Sequence, residues 1–180
     1  CCMDKPHPKL AIASCPHQGD EQKSGIALVS IGNILRCDDG IGVRLLDKLS
    51  PEVKDEVCLF KLETYSQFVL DCVAYHEVAV IVDAVRSGKQ TGDVSIIDLK
   101  EIFEYGTKLE LNSCHGFSFF DELSLIQDKS LLPDKMYFFG IEIDKVEWGE
   151  NLSKALSLRQ DEINKCLEEF LKSLFLKLGV

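Results

Sequence analysis

The alternation of hydrophobic and polar positions changes period between residues 26 and 49. Ile26 to Ile31 form a nearly unbroken apolar run, Gly32-Asn33 interrupts it, and Ile41, Leu45, Leu46 and Leu49 then recur at helical spacing. The spacing predicts strand, loop, helix, with Pro51 ending the helix. Further along, Val57–Leu62 reads as a second strand and Gln67–Ala74 as a short helix. Val78–Val82 is apolar throughout, as expected of a strand buried on both faces of a parallel sheet. Val94–Leu99 reads as a hairpin-paired edge strand, Phe117–Ile126 as a helix, and Met136–Ile143 as a last strand. From the cap Leu152-Ser153, a helical beat through Leu156, Ile163, Leu167, Leu171, Leu174 and Leu178 closes at Gly179. Strands alternating with helices predict an α/β fold.

Composition narrows the class. The 180 residues suffice for one domain, 25–180, after an aperiodic flexible N-terminal extension, 1–24. A net charge of -10 argues against a nucleic-acid partner, and no apolar run is long enough for a membrane span. The expectation is a cytoplasmic monomer. Its eight cysteines are scattered without a Cys-x-x-Cys pair and read as reduced.

Candidate chemistry gathers at three points. Asp38 and Asp39 lie where the first strand hands over to its helix, flanked by Gly32, Asn33, Gly40 and Gly42. Open α/β sheets bind ligands in such crevices, but two carboxylates there would repel a phosphate and suit a cation. Asp83 follows the central apolar run, and an acid there needs solvent, a partner or a metal. His115 stands in a loop before the helix of 117–126, where it could complete a ligand set with the acids. Glycines 40 and 42 suit close backbone approach, and Asn33 suits a loop held by its own side chain.

In order along the chain, Gly32-Asn33, Leu35, Asp38-Asp39 and Gly42 are followed by Asp83-Ala84, Gly88, Gly92, Ser113-x-His115, Gly140-Ile141 and Leu152-Ser153. With this set the chain resembles the hydrogenase maturation endopeptidases, classed with aspartic-type peptidases. These trim the C-terminal extension from the large subunit of nickel-iron hydrogenases. The resemblance implies a three-layer sandwich, a twisted and mainly parallel sheet with helices on both faces. It implies a metal-binding trio of Asp39, Asp83 and His115. It also implies nickel already installed in the large-subunit precursor as the metal recognised, with zinc, cadmium or manganese able to substitute. The chain departs from the pattern at Ser30, where a Gly is common, at Thr91 in place of a Pro, and at Glu63-Thr64-Tyr65-Ser66 in place of a Gly pair.

Two carboxylates and an imidazole suit borderline divalent ions better than calcium. Such an ion could polarise the scissile carbonyl or activate water. Alternatively it only docks the precursor, while a carboxylate such as Asp38 or Asp39 acts as general base. For Asp38 an N-cap is the competing role. A non-catalytic binding protein or chaperone of the same fold is the second reading, and a cysteine hydrolase using Cys37 or Cys114 the third.

Overall fold

The apolar runs at 26–31 and 78–85 become adjacent central strands, because only a strand covered on both faces can bury every side chain it carries. The computed structural model describes residues 11–14, 25–63, 68–100 and 132–179. Within them the elements are β1 (Ala11–Ser14), β2 (Ile26–Ile31), a 3-10 turn (Cys37–Gly40), α1 (Ile41–Lys48), α2 (Pro51–Asp55) and β3 (Val57–Glu63). There follow α3 (Val69–Val73), β4 (Val78–Val85), β5 (Val94–Asp98), β6 (Lys135–Glu142) and the 25-residue helix Lys154–Leu178, here α4.

The strands form one six-stranded sheet in the order β1-β3-β2-β4-β6-β5. The inner pairs β2/β3, β2/β4 and β4/β6 are parallel, while the edge strands β1 and β5 run antiparallel to β3 and β6. Alternation along each strand divides the core into two layers. Ile26 and Leu28 of β2, with Val80 and Val82 of β4, pack under α1, α2 and α4. Ala27, Val29, Ile31 and Ile81 face the other way, onto Val69, Cys72 and Val73 of α3. The expected α/β fold with helices on both faces is what the chain adopts.

Several elements differ from expectation. The segment 1–24 holds β1, whose four residues are too few to show a period and gain their partner only from the edge of β3. Pro51 opens α2 instead of merely stopping α1, since a missing N–H costs nothing at the first helical position. β4 runs through Asp83 to Val85 because β6 continues beside it as far as Glu142, so Asp83 lies within the strand. β5 is an edge strand as expected, but it pairs antiparallel with β6 instead of forming a hairpin with β4 across the turn before it. Cys37, Cys72 and Cys166 are free thiols, whereas Cys58 is disulfide-bonded. Sequence spacing could not foresee that bond, because pairing follows from which cysteines the fold brings within reach. His115 and the helix of 117–126 lie outside the described residues.

Helix α4 starts at Ser153, whose hydroxyl accepts the Leu156 N–H, and ends at Gly179 in the left-handed conformation. Its Arg159 donates to the Asp93 carboxylate at 2.8 Å and to the Thr91 carbonyl at 3.0 Å, tying the helix to the turn between β4 and β5. The hydrogen bond from Arg159 holds the Asp93 carboxyl below the usual aspartate range. A depressed carboxyl pKa contributes stability at pH above the unfolded value and loses it as pH falls through the folded one. A carboxyl NMR titration is expected to place the Asp93 midpoint below that of an ordinary aspartate, and Arg159→Ala is expected to return it upward.

Candidate functional site

In this sheet the connections reverse direction between β2 and β4: β3 lies on one side of β2 and is reached through α1, while β4 lies on the other. The crevice at the carboxyl ends of such a strand pair is where open α/β sheets bind ligands. Two of the three acids named from the sequence, Asp39 and Asp83, lie at these strand ends. Asp39 sits in the 3-10 turn after β2, and that turn packs against β4. Asp83 lies near the end of β4, opposite Gly140 of β6.

Glycine 42 brings these elements together. A Cβ at that position would lie 3.0 Å from the Ile31 carbonyl oxygen and 3.1 Å from that of Val82, so the first turn of α1 rests on the ends of both strands. Gly32 has φ of +135°, and a Cβ there would fall 2.1 Å from the Asp39 carbonyl oxygen. Only glycine lets the chain leave β2 so closely beneath the acid turn. A Cβ at Gly40 would press on the backbone of Ile34, 2.7 Å from its Cα. The loop is closed by Asn33, whose side-chain oxygen accepts the Leu35 N–H at 2.9 Å while its own N–H donates to Asp39 Oδ2 at 3.1 Å. Asn33 thus orients the Asp39 carboxylate directly.

Asp39 and Asp83 are both buried. Each gives one carboxylate oxygen to a backbone amide: Asn33 N–H to Asp39, and Ala84 N–H to Asp83 at 2.7 Å. Hydrogen-bonded, buried carboxylates of this kind are suited to hold a divalent ion, though two of them make only part of a ligand set. Among the described residues no group of three His, Cys, Asp or Glu side chains is arranged to bind a metal.

Asp38 does something else. Its Oδ1 accepts the Ser153 N–H at 2.6 Å and its Oδ2 accepts the Lys145 N–H at 3.1 Å. It caps the residue that itself caps α4, and it makes no cap on α1, whose N-cap is Gly40 with no side-chain bond. Buried with both oxygens on backbone amides, Asp38 clamps the loop 145–153 and does not cap its own helix.

The sequence reading overlooked Glu142. This buried residue at the end of β6 accepts from Ser87 N–H, Ser87 Oγ and Gly88 N–H at 2.6 to 3.0 Å, fixing the turn that follows β4. An acid closing an apolar strand was its visible signal. Of the two thiols weighed as nucleophiles, Cys37 is buried under Gly149 and Cys114 lies outside the described residues. Elsewhere, burial first, then Asp71, pushes the Cys72 thiol up to about 12.

The model of the hydrogenase maturation protease family, HycI, matches residues 43–173. The hydrogenase expression/formation protein HupD of Rhizobium leguminosarum bv. viciae is 26% identical over 131 residues, which cover 71% of this chain and 64% of HupD. HoxM of Azotobacter vinelandii, described in the same words, is 25% identical over 149 residues, covering 81% of this chain and 72% of its own. The chain therefore spans just under two thirds of HupD and somewhat more of HoxM. Among solved structures, the hydrogenase maturating endopeptidase HybD from E. coli superposes with a TM-score of 0.65 at 22% identity, over 83% of this chain and 93% of that one. The NiFe hydrogenase maturation protease HybD from Thermococcus kodakarensis gives 0.65 at 23% identity, over 82% and 99%. These superpositions establish the shared fold, and the family match covers most of the chain. The chain belongs to the hydrogenase maturation protease family.

Proposed function

We propose that this chain is an endopeptidase that removes the C-terminal extension of a nickel-iron hydrogenase large-subunit precursor after nickel insertion. The observation that carries the reading is the pair of buried carboxylates, Asp39 and Asp83, on adjoining elements at the carboxyl ends of β2 and β4. Family membership supplies the substrate class. Nickel enters as part of the substrate, and Asp39, Asp83 and His115 are its proposed ligands on this side; zinc, cadmium or manganese could replace it. The oxygen donors present fit a divalent ion of that kind. When bound, the ion supplies a positive charge next to the scissile carbonyl.

The chain's own part is proton handling and positioning. A water molecule adds to the carbonyl carbon, its proton passes to a carboxylate oxygen, and the amide nitrogen takes a proton as the C–N bond breaks. Asp39, at the strand-to-helix turn, is the carboxylate assigned as base, with Asp38 beside it held on two backbone amides. Hydrogen bonds from Asn33 and Ala84 fix the Asp39 and Asp83 carboxylates before substrate arrives. We assign the protein to the cytoplasm as a monomer; no described helix is long and apolar enough to cross a membrane.

The second reading, a binding protein or chaperone without cleavage, draws on the departure at 63–66. Glu63 is exposed with φ of +48°, and residues 64–67 lie outside the described set. Mass spectrometry of a nickel-loaded precursor incubated with the chain separates the two. The expected result is a large subunit shortened at its C-terminus. A stable complex with a full-length precursor would overturn the peptidase reading.

A further inference from the structure

Apolar side chains are exposed beside the acid crevice, on a rim that the backbone holds rigidly. Ile34, Leu35 and Trp148 are 36%, 47% and 81% exposed. They come from two loops more than a hundred residues apart in sequence, yet Gly149 N–H donates to the Leu35 carbonyl at 2.9 Å and Cys37 N–H to the Gly149 carbonyl at 2.7 Å. Asp38 grips the same second loop through the Lys145 and Ser153 amides. Arg44 bridges both loops, reaching the carbonyls of Ile34 and Glu150. With these bonds at 145, 149, 150 and 153 on either side of it, Trp148 still projects into solvent. Exposed apolar clusters on a rigid frame mark binding surfaces.

The rim is continuous with the crevice. Ile34 and Leu35 belong to the loop that Asn33 and Asp39 close, and the backbone of Ile34 packs on Gly40. A partner lying over Ile34, Leu35 and Trp148 would therefore cover the outer side of the loop whose inner side holds the buried Asp39. A second copy of this chain is a poor occupant. Even a fully covered aromatic contributes only about 150–250 Å², and three side chains fall well short of the roughly 800 Å² per partner that a stable interface buries. The patch is sized for a short peptide segment that is also held elsewhere.

We propose that this rim is the docking surface for the apolar, extended segment of the precursor adjoining its scissile bond, with Trp148 as the anchor and Leu35 and Ile34 as flanking contacts. The assignment rests on the substrate reading above, and makes these residues determinants of substrate affinity and not of the chemical step.

Trp148 is the only tryptophan in the chain, which gives a direct probe. The full chain is labelled with 5-fluorotryptophan and titrated with unlabelled precursor, both nickel-free and nickel-loaded, while its fluorine resonance is followed. The resonance is expected to move with precursor. In parallel, Trp148→Ala is expected to raise KM for nickel-loaded precursor about tenfold or more with kcat unchanged. Trp148→Phe keeps most of the affinity, Leu35→Asp weakens it, and Leu176→Ala, at the far end of α4, changes nothing. A resonance that ignores both precursors, or that moves with the concentration of this chain alone, would overturn the proposal. So would an unchanged KM in Trp148→Ala. A resonance that moves while the wild-type chain leaves the precursor full length keeps the docking surface and removes the peptidase reading, so the two can fail separately.

Discussion

Alanine at Asp39 or at Asp83 is expected to slow processing of a nickel-loaded precursor at least about a hundredfold, the lower bound for loss of a positioned acid-base group. Both variants are expected to fold. Asp39→Ala removes one acceptor, so the Asn33 N–H loses its 3.1 Å bond; the cost is about 1–3 kcal/mol if that amide stays dry. Against it stands the relief of no longer burying a carboxylate. Asp83→Ala similarly frees the Ala84 N–H, but the β4 ladder to β2 and β6 is made by backbone groups and stays intact. Circular dichroism and a melting curve establish that the variants are folded, and mass spectrometry of the precursor reads the activity. Folded Asp39→Ala or Asp83→Ala protein that processes at the wild-type rate would remove the proposed site. His115→Ala belongs in the same series as the third proposed ligand.

That the acids could be found from sequence, while their supports could not, has a physical cause. Asp83 directly follows the apolar run 78–82 and Asp39 sits at the handover from the first apolar run to the helical pattern, places where a charge stands out against its neighbours. Gly32 and Gly42 were legible as glycines but not as contacts: what they approach, the Asp39 and Val82 carbonyls, is set by how α1 lies across two strands. Asp38 was the hardest to read. Its partners are 107 and 115 residues away, and an Asp before a helix suggests a local cap unless the other loop is known to be there. Glu142 was hidden for the same reason, since its acceptors' donors lie on the turn after β4. Trp148 could not be singled out at all, because a tryptophan in sequence is a core candidate and only the fold reveals that it faces solvent. Local pattern therefore locates the elements, and long-range hydrogen bonds decide what the residues between them do.

Asp38→Ala separates clamp from catalyst most sharply. The wild-type carboxylate is buried and accepts from the amides of Lys145 and Ser153; removing it leaves two donors without their acceptor. Hydrogen bonds to a charged group are worth about 1.5–3 kcal/mol each, so losing two is expected to cost about 3–6 kcal/mol of stability. For a chain of this size that corresponds to a fall in Tm of roughly 10 °C. Asp38→Asn fares little better, because an amide presents N–H to one of two backbone N–H groups that both require an oxygen. The damage spreads in a defined direction. The loop 145–153 carries Trp148 and the cap of α4, so loosening it moves the rim and frays the first turn of that helix. Assayed well below its Tm, Asp38→Ala is expected to cleave the precursor with kcat within about tenfold of wild type and a raised KM, as a positioning residue would. A variant with unchanged Tm and abolished kcat would make Asp38 the general base and leave the clamp with no energetic role, which the two backbone hydrogen bonds to its buried carboxylate argue against.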